Sequence, residues 1–134
     1  MDADGTYPAY VIPLCVSTLI QKDLDFITVN RLAKMEKGSM NLVHLIGNKI
    51  LATTMNLIYS VNIRDSQSGM WIMKKSFIEN INLHSDQMSF SEEIKIVAFK
   101  FFRALEVGGG YSKRIGPAAL SYRCFCRACC AATL

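Results

Sequence analysis

The chain has 134 residues, 51% hydrophobic and 19% charged, with a formal net charge of +4. That length supports one domain with a real core, and the composition excludes a disordered chain. The charge permits an anionic partner such as a phosphate or an acidic membrane surface. No run of basic residues is interleaved with aromatics, which argues against a nucleic-acid partner.

Asp2-Ala3-Asp4-Gly5-Thr6-Tyr7-Pro8 opens the chain. Two carboxylates one residue apart, followed by a glycine turn, can present hard oxygen ligands to one Mg²⁺ or Mn²⁺. These residues carry no positive region of the kind that begins a signal peptide. Residues 8–21 place apolar side chains at helical spacing, with Pro8 suited to the first turn and Pro13 expected to strain the helix or start it late. Asp25 to Asn30 is β-branched and aromatic and reads as a strand, with Arg31 at its end. Residues 34–39 read as a polar loop containing Gly38.

Met40 to Tyr59 reads as a long helix whose apolar positions, Leu42, Val43, Ile46, Ile50, Leu51, Met55 and Ile58, define a core face. His44, Asn48, Lys49 and Asn56 interrupt it, so it is an amphipathic or buried helix and not a membrane span. A turn-like loop at 62–69, a short strand at 70–73 and a short helix at 75–80 follow. After a polar loop at 85–89, Ser89 or Ser91 is expected to cap a helix reaching about Arg103, with Glu92 and Glu93 in its first turn. Leu105 to Val107 begins a strand that Gly108, Gly109 and Gly110 are expected to cut short. Alternating strands and helices predict an α/β domain, a mixed sheet flanked by helices. From Arg123 to Leu134 the periodicity is lost. Its Cys-x-Cys-x-x-Cys-Cys spacing fits paired zinc knuckles poorly and reads as an exposed tail, while Cys15 reads as a buried apolar residue.

Several of these pieces carry chemistry together. Arg31 at a strand end can hold a phosphate by charge-assisted bonds. Asp65-Ser66-Gln67-Ser68-Gly69 can orient a sugar hydroxyl or a metal-bound phosphate; it reads equally as an Asx-turn in a surface loop. In this order, the DADGTYP string, the Val29-Asn30-Arg31 step, His44 to Lys49, Asp65 to Gly69, Phe90-Ser91-Glu92-Glu93 and Tyr111 to Gly116 resemble family 2 glycosyltransferases of GT-A type. The resemblance is to the branch that includes dolichyl-phosphate mannose and glucose synthases. It covers residues 2–122 and leaves 123–134 as a separate Cys-rich tail.

The resemblance implies a metal-dependent transfer of a hexose from GDP-mannose or UDP-glucose to a polyprenyl phosphate. It implies Asp2 and Asp4 as ligands to Mg²⁺ or Mn²⁺, and Asp65 and Glu93 as catalytic carboxylates, with Glu92 able to substitute for Glu93. It further implies Arg31, Gln67, Ser68, Lys113 and Arg114 as contacts to the donor or its phosphates. In the family the glycine of Gly-Asn-Lys, here Gly47, lets another element approach closely. The family's usual arginine is replaced by His44, its Val-Pro-Ile by Val107-Gly108-Gly109, and its usual lysine by Ala119. The resemblance also implies a truncated domain, because the family's nucleotide-binding half would precede Asp2; that half, or a second copy of the chain, would be a partner. The expected location is cytoplasmic, peripheral on a membrane. The alternative is a non-catalytic remnant or interaction protein that keeps the motifs without turnover.

Overall fold

The computed structural model describes residues 6–35, 41–85 and 88–111. Asp2, Asp4, Lys113, Arg114 and the tail at 123–134 lie outside the described residues. The described chain is a mixed α/β unit, a three-stranded sheet with helices on both faces.

Helix α1 spans Val11–Gln21 and buries Val11, Cys15 and Leu19, which recur at every fourth position and so form one stripe. Pro13 sits in the first turn, where its missing N–H would have had no intrahelical partner. Pro8 stays outside the helix; its carbonyl accepts from Val11 N at 3.2 Å. The helix ends on Asp23 at φ 48°. Asp23 N bonds Ile20 O at 3.2 Å and Leu24 N bonds Leu19 O at 2.9 Å, closing a Schellman-type end that turns the chain into the sheet.

Strand β1, Phe26–Met35, is central. It pairs antiparallel with β2, Trp71–Met73, and parallel with β3, Ala104–Tyr111. Ile27 and Val29 pack with Val11, Cys15 and Leu19 under α1. Phe26 packs on the other face with Phe77, Ile94 and Ala98. Those residues come from α3, Lys75–Glu79, and α4, Met88–Phe101. Burial on both faces explains the continuous apolar run of β1.

Four local expectations are corrected. β1 runs on to Met35, into the expected loop, and its register against β3 shifts between Asn30 and Lys34. β3 is not cut at Val107 but continues through the glycines. A Cβ on Gly108 would lie 2.9 Å from Ala33 Cβ, and one on Gly109 would overlap Val29 Cγ1, so glycine is what lets β3 lie this close to β1. α4 begins at Met88, so Ser89 and Ser91 lie inside it, and Glu92 and Glu93 fall beyond its first turn.

The fourth correction concerns helix α2, Leu42–Tyr59, capped by Asn41 Oδ1 on Val43 N at 3.2 Å. Its buried residues are Asn48, Ala52 and Met55, whereas Leu42, Val43, Ile46, Ile50 and Ile58 are all more than half exposed. The helix turns a polar stripe inward because Asn48 and Asn56 have partners there. Among the described residues, Gly47 meets nothing within 4 Å of where a Cβ would sit, so no described element approaches it closely.

Candidate functional site

The segment from Ile63 to Gly69 has little secondary structure of its own, yet Ile63, Asp65, Ser66 and Ser68 are all buried. Buried backbone without a ladder must find other partners, and here side chains from several elements supply them. From α2, Asn56 accepts from Ile63 N at 2.9 Å and donates to Ile63 O at 2.8 Å. From β3, the Glu106 carboxylate accepts from Arg64 N at 3.0 Å and Asp65 N at 2.9 Å. From α4, Lys95 Nζ donates to Asp65 O at 3.1 Å and Ser66 O at 2.6 Å. Asn48 Oδ1 accepts from Ser66 Oγ at 2.6 Å and from Gln67 N at 3.2 Å.

Beyond the turn, Ser68 Oγ donates to Val29 O and Ser68 O accepts from Trp71 Nε1 at 2.8 Å. Tyr7, buried under the loop, accepts from Gly69 N at 2.8 Å through its hydroxyl. That hydroxyl lies 3.4 Å from Ser68 Oγ. With the Ser68 proton directed at Val29 O, Ser68 Oγ can accept from the Tyr7 hydroxyl. Burial raises the Tyr7 phenol above its ordinary value, so it remains a donor through neutral pH.

Asp65 is the centre of the loop. Arg31 Nε donates to Asp65 Oδ2 and Arg31 Nη2 to Asp65 Oδ1, both at 2.8 Å, and Arg31 N reaches Oδ2 at 2.9 Å. Asn48 Nδ2 at 2.9 Å and Gln67 N at 3.2 Å complete five contacts to the carboxylate, which has no solvent exposure. Burial alone would raise its pKa; the bidentate Arg31 guanidinium overrides that and holds it below the usual carboxylate range. The register shift in β1 is what frees Arg31 to reach the loop, and Asn30 Oδ1 supports the irregular backbone by accepting from Leu32 N at 2.8 Å. Asp65 is therefore an ionised anchor with its lone pairs engaged, not a carboxylate open to a proton.

The sequence-derived set divides here. Arg31, Asp65, Gln67 and Ser68 meet in one place. Glu92, not Glu93, joins them: Gln67 Nε2 donates to Glu92 Oε1. Glu93 instead accepts from His84 N at 3.0 Å and Ser85 N at 2.7 Å, and these N–H groups outweigh its partial burial and lower its pKa. One residue along α4 turns a side chain by about 100°, which separates the two acids.

Reading the sequence missed five supports: Tyr7, Asn48, Asn56, Lys95 and Glu106. For Asn48 a signal existed, since 48, 52 and 55 form a helical stripe, but a denser aliphatic stripe beside it dominated the count. Among the described residues, no three His, Cys, Asp or Glu side chains are grouped to hold a metal ion. The Asp65, Glu93 and Glu106 carboxylates are each occupied by N–H donors. No described helix is long and apolar enough to cross a membrane.

Beside the loop, α2 and the irregular part of β1 enclose a groove of about 510 Å³. Leu32, Leu45, Ala52 and Ile63 line it with aliphatic surface, and Lys49 and Arg64 add two cations.

No protein-family profile matches the chain. No solved structure matches it. Among curated proteins, the chain is 30% identical over 95 residues to the low-salt glycan biosynthesis hexosyltransferase Agl6 of Haloferax volcanii. The match covers 69% of this chain and 23% of that protein, so the chain spans under a quarter of its relative's length. The similarity supports a glycosyltransferase, a sugar donor and an acceptor, and it goes no finer than that.

Proposed function

We propose that this chain contributes part of the active site of a hexosyltransferase that moves a hexose from GDP-mannose or UDP-glucose to a polyprenyl phosphate. The observation that carries this reading is the Ile63–Gly69 loop, whose backbone is held by side chains of α2, α4 and β3. A loop so supported is a rigid platform, and transfer between two bound substrates depends on positioning. The groove beside it supports the acceptor class, since aliphatic lining with Lys49 and Arg64 suits a phosphate head on a hydrocarbon chain.

In this reading an acceptor phosphate oxygen attacks the anomeric carbon. The bond from that carbon to the diphosphate breaks, and the nucleoside diphosphate leaves with the electron pair. The acceptor is already ionised at neutral pH, so the reaction needs no strong base. Asp65 fits such chemistry as an anchor that fixes Arg31, Asn48 and Gln67. Gln67 and Glu92 are the proposed contacts to the sugar, and Arg31, Lys113 and Arg114 the proposed source of positive charge for phosphates; Ser68, buried between Val29 O and Tyr7, supports the loop that presents them. Asp2 and Asp4 would hold Mg²⁺ or Mn²⁺, which supplies charge against the leaving diphosphate. A lipid acceptor implies a peripheral position on the cytoplasmic face of a membrane.

The test is calorimetric titration of the full chain with GDP-mannose and UDP-glucose, with and without Mn²⁺. Metal should strengthen binding, Asp2→Ala with Asp4→Ala should abolish the metal effect, and Gln67→Ala should weaken binding about tenfold, the scale of one good hydrogen bond. Equal binding by the Asp2, Asp4 double variant sinks the metal assignment, and no nucleotide binding sinks the reading. A radiolabelled-sugar assay with polyprenyl phosphate, run with and without the family's N-terminal half added in trans, separates the alternatives: transfer restored by that half identifies the enzyme, and nucleotide binding without transfer in its presence identifies the non-catalytic class.

A further inference from the structure

Lys95 is a charged-type side chain with no exposure, in the middle of α4. Burying an amine is costly unless it is hydrogen-bonded. Among the described residues no carboxylate lies within ion-pair distance of Lys95 Nζ. Its partners are instead two consecutive backbone carbonyls, Asp65 O at 3.1 Å and Ser66 O at 2.6 Å. The two carbonyls converge on this amine where the chain turns, at Ser66 and Gln67. A donor must stand there, or both oxygens are buried without partners.

The surroundings name the role further. Asp65 from the loop, Arg31 from β1, Glu106 from β3 and Glu92 on α4 itself are the charged groups whose fields reach Lys95. The Trp71 ring of β2 lies with its centroid 6.0 Å from Nζ. An amine in its neutral form has two hydrogens, one for each carbonyl, so the geometry is satisfied with or without the third proton.

We propose that Lys95 is a positioning residue that sets the conformation of the Asp65–Gln67 turn, and through it the place of the Gln67 side chain against Glu92. What the turn would present Gln67 to, a nucleotide sugar, rests on the hexosyltransferase reading; the positioning itself does not.

Amide hydrogen exchange on the full chain tests it. In Lys95→Met the amides of Asp65 and Gln67 should exchange at least about tenfold faster, the equivalent of one lost buried hydrogen bond. Those of Phe26 to Val29 should stay unchanged, and Lys100→Met, an exposed change on the same helix, should alter neither set. Equal acceleration across loop and sheet means that Lys95 only fills the core, and no acceleration means that it holds nothing; either overturns the proposal. Should Lys95→Met fail to fold, ¹⁵N spectra of the wild-type chain decide: Nζ hydrogens protected from solvent exchange support the proposal, and a solvent-averaged amine signal overturns it. Titration with Mn²⁺ and GDP-mannose then separates the two readings. Loosening of the turn with about tenfold weaker binding supports the link to the ligand, and loosening with unchanged binding overturns that link. A wild-type chain that binds no nucleotide refutes the hexosyltransferase reading while the exchange data still decide the role of Lys95.

Discussion

Lys95 and Asp65 are buried next to each other with opposite consequences for pH. Burial pulls the Lys95 ammonium down from 10.5 to about 7, against the opposing pull of the Asp65 charge. Between those values the unfolded chain holds a proton that the folded chain lacks, so stability attributable to Lys95 rises with pH through this window, with a slope approaching about 1.4 kcal/mol per pH unit. Asp65 behaves conversely: with its folded pKa depressed, its contribution is present above the ordinary carboxylate value and is lost as pH falls through the folded one. Urea denaturation from pH 6 to 10 should therefore show wild type gaining on Lys95→Met above pH 7, and a pH-independent difference would contradict a lowered Lys95 pKa. The two residues also differ in how far the sequence revealed them. Asp65 stood out inside a recognisable string with Gln67, Ser68 and Gly69. Lys95, between Ile94 and Ile96, resembles a surface position on an amphipathic helix. Its carbonyl partners lie 29 and 30 residues earlier in the chain, and no local pattern encodes that proximity.

At the scale of elements, every expected strand and helix exists, and the errors arose where tertiary partners override local preference. The glycines of β3 read as a terminator because glycine weakens strands, yet Val29 and Ala33 leave no room for a side chain there. α2 is the sharper case. Its aliphatic count defined a face, but the inward face is set by Asn48 and Asn56 bonding to the loop, with Ala52 and Met55 filling the space between. Met55 is buried as expected and Ile50 is not, so this orientation predicts very different costs at two positions that the sequence placed on one face. Ile50→Ser, at a position 63% exposed, should change stability by less than about 0.5 kcal/mol, whereas Met55→Ala, at 4% exposure, should cost about 2–5 kcal/mol. Chemical denaturation of the two variants measures both. A larger loss at Ile50 would show that the helix faces the other way.

Across the whole molecule, the two sheet faces do different work. The α1 face is an apolar layer of Val11, Cys15, Leu19, Ile27 and Val29. The opposite face begins apolar, with Phe26, Phe77 and Ala98, and becomes polar toward Lys95 and Glu106, where the loop crosses it. At the start of β1, Asp23 and Asp25 pair with Lys74 and Arg103. Asp23 and Arg103 are more than half exposed, so their pairing contributes little; the four side chains tie together turns distant from the site. The loop thus depends on α2, α4 and β3 keeping their relative places, since each grips a different stretch of one short backbone. Asn48 and Glu106 lie on separate elements and reach neighbouring residues of the turn, at Gln67 N and Asp65 N. If the turn is one cooperative unit, losing one grip relaxes the geometry that the other requires. The expected outcome of a double-mutant cycle with Asn48→Ala and Glu106→Gln is a coupling energy of about 0.5–3 kcal/mol, with the double variant less destabilised than the sum of the single changes. Strict additivity would mean that the two side chains hold independent segments, and that the Ile63–Gly69 loop is several local contacts and not a single platform.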